Sequence, residues 1–223
     1  QEPGALAALV AAVAAGGAAT STDVLHSAAH SMLVLADIAI AGPELARRVA
    51  QEPGALPTLV AVVGASNAST LPGLHQAAAN SMIVLAEIAR AGPELARCVA
   101  QEPGPLPTLV TAMAASGAAA SRRLHRTAGN SVIVLGQIAR AGLDLARRVA
   151  DEPGALLTLV VATGATAPPS RHVVAANSAY ALALLAAASP ELATRVADEP
   201  SALHALVAAM AAGGAVASRS PQD

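Results

Sequence analysis

The sequence predicts an all-α solenoid built from three-helix units, and three observations carry that prediction. A short signature recurs. Gln1-Glu2-Pro3-Gly4, Gln51-Glu52-Pro53-Gly54, Gln101-Glu102-Pro103-Gly104 and Asp151-Glu152-Pro153-Gly154 lie 50 residues apart, and Asp198-Glu199-Pro200-Ser201 follows after 47. Between signatures the apolar residues fall at three- and four-residue spacing, with no strand-like alternation. Residues 51–100 and 101–150 share 30 of 50 positions, so one unit has been copied in tandem. A single unit of this kind cannot bury its apolar face alone, and stacked neighbours must complete the core.

The second copy shows each element in order. Leu56-Pro57-Thr58-Leu59-Val60-Ala61-Val62-Val63 is short and almost wholly apolar, so it predicts a buried helix. Pro57 is tolerated because it lies in the first turn, where its missing N–H is not needed. Gly64 to Gly73 holds Ser, Asn, Thr, Gly and Pro, which is turn chemistry, and six of the 20 differences from the third copy fall between residues 67 and 73. That segment predicts a loop. Leu74 to Arg90 places Leu74, Ala78, Ser81, Leu85 and Ile88 on one face of a longer amphipathic helix, with Asn80, Ile83, Glu87 and Arg90 on another. Gly92-Pro93-Glu94 then opens a helix with proline at its first position and an acid in its positive first turn, running to about Gln101 before Pro103. In the fourth copy Ser189-Pro190-Glu191 starts the same helix, with Ser189 as N-cap. The units are placed near residues 1–42 (partial), 43–92, 93–142, 143–189 and 190–212 (partial), and 213–223 is expected to be a flexible C-terminal tail. Residues 1–3 read as the end of a helix that begins earlier, and neither end carries a polar capping repeat. The expected setting is therefore a longer chain or a larger complex.

Composition narrows the function. The 223 residues carry 13 basic side chains, all arginine, against 15 acids, a net charge of −2. There is no Phe or Trp, and Tyr180 is the only tyrosine. A near-neutral chain without aromatic platforms lacks the means for non-specific nucleic-acid binding, so no nucleic-acid partner is expected. Cys98 is the single cysteine, which fits a reducing, intracellular and cytoplasmic setting. The polar-free run from residue 4 to 19 is mostly Ala and Gly. It is short of the roughly 20 strongly apolar residues of a membrane span and has no charged segment before it to mark a signal peptide. Without aromatics, Ala, Val, Leu and Ile let helices approach at the near end of the usual range of about 8–10 Å. Gly129 and Gly136 each cost the third copy's long helix up to about 1 kcal/mol, so that copy is expected to be the softest.

Three segments resemble a known repeat: Gly54-Ala55-Leu56-Pro57-Thr58-Leu59-Val60, then Ala77-Ala78-Ala79-Asn80-Ser81-Met82-Ile83-Val84-Leu85-Ala86-Glu87-Ile88-Ala89, then Gly92-Pro93-Glu94-Leu95-Ala96. In type, order and spacing they are similar to helix 2, helix 3 and the following helix 1 of the armadillo repeat of importin-alpha and beta-catenin relatives. The resemblance covers residues 1 to 212, with HEAT-type repeats as the neighbouring alternative. The family's unit is about 42 residues, and the excess here is assigned to the loop between helices 2 and 3. The resemblance implies a right-handed superhelix whose third helices line a concave groove for extended peptides or protein partners. Importin-like members carry a Trp in that groove and an Asn four residues later. The matching pairs here are Leu33 and Asp37, Ile83 and Glu87, Ile133 and Gln137, and Tyr180 and Leu184, so recognition of import signals in that manner is not implied.

Other constellations have plainer explanations. His26, His75, His125 and His172 recur once per copy near the start of the long helix. Metal ligation needs donors about 2 Å from one ion, whereas equivalent atoms of stacked units lie a helix diameter apart, so helix-start packing or capping is expected. Asp23, His26 and His30 share one helical face, with Asp23 read as an N-cap. No metal and no cofactor is expected. Asn80-Ser81, Asn130-Ser131 and Asn177-Ser178 each follow a histidine, but catalytic sites are asymmetric and a motif copied in several units is structural, so the chain is not read as an enzyme. Arg47, Arg48, Arg97, Arg147, Arg148 and Arg195 lie on helix 1, three or four residues after Glu44, Glu94, Asp144 and Glu191, and are expected to form pairs within each helix. Cys98 takes the slot of Arg48 and Arg148 and is expected to be partly exposed. Asn67-Ala68-Ser69 is a formal glycosylation sequon with nothing else to suggest secretion.

The groove is the functional candidate. Its lanes are His30, Asn80, Asn130 and Asn177; Leu33, Ile83, Ile133 and Tyr180; and Asp37, Glu87, Gln137 and Leu184, with Arg90 and Arg140 beside them. The lanes offer amides for an extended backbone, apolar pockets, and an acidic end at Asp37 and Glu87 for a basic residue. The expected function is a non-enzymatic scaffold for a protein or peptide partner. A permanent structural subunit of a large assembly is the alternative, and an RNA-binding helical repeat the least supported.

Overall fold

The computed structural model describes residues 4–17, 21–118, 122–164 and 169–217. Among the described residues there are thirteen helices and no strand. Second helices of the units are α1 (Ala5–Gly17), α4 (Ala55–Asn67), α7 (Pro105–Ala118), α10 (Ala155–Thr163) and α13 (Ala202–Ala217). Third helices are α2 (Thr22–Ile40), α5 (Pro72–Arg90), α8 (Arg122–Arg140) and α11 (Pro169–Ala188). First helices, each nine residues long, are α3 (Pro43–Gln51), α6 (Pro93–Gln101), α9 (Leu143–Asp151) and α12 (Pro190–Asp198).

The packing is that of a solenoid. The third helices lie side by side in chain order, each backed by the second helix of its own unit, while the second helices form a parallel row of their own. Each first helix fills the wedge between two units: α3, for example, touches α2, α4, α5 and α6. Equivalent residues build the continuous core. Leu35, Leu85, Leu135 and Leu182 recur as fully buried leucines on the third helices, and Ala46, Ala96 and Ala146 with Val49, Val99 and Val149 recur on the first helices. Each buried leucine or valine contributes about 1.5–3 kcal/mol of transfer free energy. Small residues set the spacing: a Cβ placed on Gly16 of α1 would sit 2.1 Å from the Ala28 Cβ of α2.

The signature is a turn. Gly54, Gly104 and Gly154 have φ of 79°, 76° and 77°, a left-handed conformation that carries the chain from helix 1 into helix 2. In the last copy Ser201 adopts φ 65° in the same place, at a cost of about 1–2 kcal/mol. The start of helix 1 differs in the last copy, where Ser189 replaces Gly42, Gly92 and Gly142 with an extended backbone; its Oγ accepts a hydrogen bond from the Leu192 N–H at 3.2 Å, as expected of an N-cap.

Two expectations need correction. The loop expected from Gly64 to Gly73 shrinks to residues 68–71, because α4 runs on to Asn67 and α5 already starts at Pro72. The extra length of the unit is thus helical, not loop. Tertiary contacts offset the weak propensities there: Ser66 is buried, and Asn67 Nδ2 donates to the Thr108 carbonyl of the next unit at 3.3 Å. Asp23 is a first-turn residue, since Ser21 holds the N-cap position of α2. At the other end α13 is described through Ala217, and residues 1–3 and 218–223 lie outside the described residues. Helix α2 has the length and composition to cross a bilayer, alone among the described residues. Its Leu25, Ala28, Met32, Leu35 and Ala39 are nevertheless buried in the core, and α2 packs on α1 and α5 as the first of the third helices.

Candidate binding face of the third helices

A third helix flanked by two others must bury both sides and can offer only an outward strip. The lane residues divide accordingly. Leu33 is 45% exposed and Tyr180 53%, with Ile83 and Ile133 half-buried between them, which makes an apolar row across the four helices. His30, Asp37, Arg90 and Arg140 are exposed, and Glu87, Gln137 and Leu184 are half-buried.

Asn80 behaves differently from the rest of its lane. It is buried, its Nδ2 donates to the Ala29 carbonyl of α2 at 2.8 Å, and its Oδ1 accepts from Gln76 Nε2 at 3.0 Å. Its amide joins α5 to α2 and is not offered to a ligand. Asn130 and Asn177 are half-buried and make no side-chain hydrogen bond among the described residues. Glu87 is also engaged, in an ion pair with Arg90 one turn on, which leaves Asp37 as the acid without an ion pair among the described residues.

Charge is distributed unevenly along the row. Helix α2 carries Asp23 and Asp37 and no arginine, α5 carries Glu87 and Arg90, and α8 carries Arg122, Arg123, Arg126 and Arg140 and no acid. The net charge of −2 therefore hides a polarity from an acidic first helix to a cationic third. The repeat spacing singles out the arginines of helix 1 and, beside the groove, Arg90 and Arg140, and it does not single out the cluster of Arg122, Arg123 and Arg126. Its signal was three arginines within five residues, in a stretch from 103 to 143 without an Asp or Glu. Beside the cluster, between the N-terminal halves of α8 and α11, lies a cavity of about 220 Å³.

Elsewhere three of the four repeated serines have structural partners, while the Ser178 hydroxyl is buried without one among the described residues. Ser31 and Ser131 donate to the carbonyls of Ser27 and Thr127 at 3.0 and 2.9 Å, and Ser81 to the sulfur of Met32 at 3.0 Å. His75 Nε2 lies 2.7 Å from the Ser69 carbonyl at the start of α5, His26 is exposed, and the His172 side chain lies outside the described residues. Cys98 is exposed.

The arginines of helix 1 correct a further expectation. Arg47 does pair with Glu44 within α3 at 3.1 Å. Arg97 instead reaches Asp144 of the next unit at 2.6 Å, Arg147 reaches Glu191 of the next unit at 2.9 Å, and Arg195 reaches back to Asp151 at 2.7 Å. Long arginine side chains on parallel short helices span the gap to the neighbouring unit. The hydrogen bond from Arg97 holds the Asp144 carboxyl below its ordinary 3.8, and Asp144 in turn raises Arg97. Arg148 and Arg195 also donate to the Ala100 and Ala150 carbonyls in the last turn of the preceding first helix, at 3.0 and 2.8 Å.

No family model and no curated protein sequence matches the chain. Solved structures do. A designed armadillo repeat protein superposes with a TM-score of 0.67 at 21% identity, over 92% of this chain and 81% of its own. Two engineered proteins superpose with TM-scores of 0.66 and 0.61 at 18% and 19% identity, covering 86% and 98% of this chain and 67% and 44% of theirs. With three helices per unit and the third helices in a row, the chain has the armadillo repeat fold, an all-α solenoid.

Proposed function

We propose that the chain is a non-enzymatic scaffold that binds an extended segment of a partner protein along its third helices. Armadillo-like repeats commonly serve as protein-interaction scaffolds, and here the apolar row of Leu33, Ile83, Ile133 and Tyr180 supports that use. Exposed large apolar side chains in register on successive units lose water when a partner covers them. His30, Asp37, Glu87, Arg90, Asn130, Gln137, Arg140, Asn177 and Leu184 surround the row, and a basic partner residue sits over Asp37 and, by displacing Arg90, over Glu87. Replacing both with Asn is expected to weaken binding of arginine-bearing peptides about three- to tenfold, read by calorimetric titration at low salt. Unchanged affinity would overturn the acidic subsite. The single exposed cysteine supports a reducing, cytoplasmic setting.

One observation favours the second reading, a subunit of a larger assembly. Leu157 and Val161 of α10 are 48% and 65% exposed where the second and third copies place Pro57, Ala61, Pro107 and Thr111, and on the touching α13 Leu203 and Val207 are both 63% exposed, although their counterparts Leu156 and Val160 are buried. If that patch is an assembly surface, Leu157→Glu with Leu203→Glu shifts the sedimentation profile toward smaller species. An identical profile removes that reading.

A further inference from the structure

The cavity between α8 and α11 is built differently from the equivalent places between the other third helices. Gly129 stands where the other copies have Ala29, Ala79 and Ala176, and a Cβ there would reach only ordinary contact, 3.6 Å, with Val174. Glycine therefore deepens the gap between the two helices without being required by the backbone. At about 220 Å³ the space is smaller than the 300–1,000 Å³ of a drug-sized ligand site, and it suits one side chain.

Its lining has a definite chemistry. Ile133 and Val174 form apolar walls, and Asn130 and Asn177 bring amide groups without other side-chain hydrogen bonds among the described residues. Arg122 and Arg126 stand at the rim, both exposed and neither in an ion pair among the described residues, and no acid lines the cavity. Elsewhere among the described residues Arg97 is answered by Asp144, Arg147 by Glu191 and Arg195 by Asp151. Two guanidinium forks and two amides around a side-chain-sized hole select an anion carried on an aliphatic stem, because a carboxylate or phosphate accepts from several N–H donors at once.

We propose that this cavity is an anion pocket that takes one acidic or phosphorylated side chain of the partner segment. The inference rests on the proposal that such a segment lies along the third helices. It adds that the segment is bipolar, with a basic residue at α2 and an anionic residue between α8 and α11.

The test uses the 15N-labelled full chain and three capped hexapeptides, of glutamate, of phosphoserine with alanine, and of arginine. An anionic peptide is expected to perturb amide signals of residues 122–133 and 173–177. Arg122→Gln with Arg126→Gln should weaken its binding at least about tenfold. Gly129→Leu should do the same by filling the cavity, while leaving or raising the melting temperature, since leucine favours the helix. The relative affinity of the glutamate and phosphoserine peptides says which anion the pocket serves. Signals confined to other regions, or unaltered affinity in the arginine variant, would overturn the pocket, as would tighter binding of a short oligothymidylate at the same residues. Full binding by a folded Gly129→Leu variant would reduce it to diffuse attraction and overturn it equally. The arginine peptide keeps the two readings apart: if it fails to perturb α2 while the anionic peptides still find the cavity, the groove reading fails and the pocket stands.

Discussion

Single residues in this repeat do different work at equivalent positions, and Asn80 against Asn130 is the sharpest case. Both were legible as members of one lane, because the period places them in one register. What the sequence could not reveal is which amide a neighbour occupies, since that depends on Ala29 and Gln76 lying within hydrogen-bond reach of Asn80. The difference carries a prediction. Asn80→Ala removes a buried amide together with its bonds to the Ala29 carbonyl and Gln76, and is expected to cost about 1–3 kcal/mol in urea unfolding. Asn130→Ala, lacking such bonds among the described residues, should stay within about 0.5 kcal/mol. Equal losses at the two sites would show that the lane is uniform after all. Glu87 repeats the lesson: its pair with Arg90 was visible as i, i+3 spacing, yet on sequence alone it was counted with Asp37 as an acid open to a partner.

Element boundaries were legible where local chemistry decides them and were missed where neighbours do. The first helices open at Pro43, Pro93 and Pro190 and end before the Glu-Pro-Gly turn, or Glu-Pro-Ser in the last copy, as proline and acid at the start and the left-handed residue at the end require. The second helices overrun their turn-like residues because Asn67 and Ser66 gain contacts that no local rule contains. The helix-1 arginines follow the same logic, since a pairing within one helix and one between units are equally compatible with their spacing. Arg148 and Arg195 each satisfy a last-turn carbonyl of the preceding first helix, at the negative end of its dipole. Cys98 holds the matching position on α6 and cannot donate in this way to the Ala50 carbonyl of α3. Cys98→Arg is therefore expected to stabilise the chain by about 0.5–1 kcal/mol, the usual net value of a hydrogen bond discounted for exposure. An unchanged or lower urea midpoint would show that α3 and α6 are not spaced as the later pairs are.

At the scale of the whole molecule, the repeat turns sequence differences between copies into positions along one axis. Every unit keeps the buried leucine of its third helix, so the scaffold is uniform, while the outward residues drift from Asp37 at α2 to Arg122 and Arg126 at α8. That drift was written in the sequence but had meaning only once the third helices were known to lie in a row, because charges 50 residues apart become neighbours there. Geometry then fixes a length. Adjacent packed helices stand about 8–10 Å apart, so the path from α2 to the gap between α8 and α11 is roughly 20–25 Å, which an extended chain covers in about six to eight residues at 3.3–3.6 Å each. A peptide with one arginine and one glutamate seven positions apart on an otherwise Ser/Ala backbone should therefore bind more tightly than the same peptide with the two charges adjacent, because only the former engages both ends of the row. The advantage should be about tenfold at low salt and shrink as salt rises. A spacing series measured by fluorescence anisotropy gives the answer directly. A maximum near seven residues supports one bipolar segment spanning the row, and affinity independent of spacing means the two charged regions bind separately.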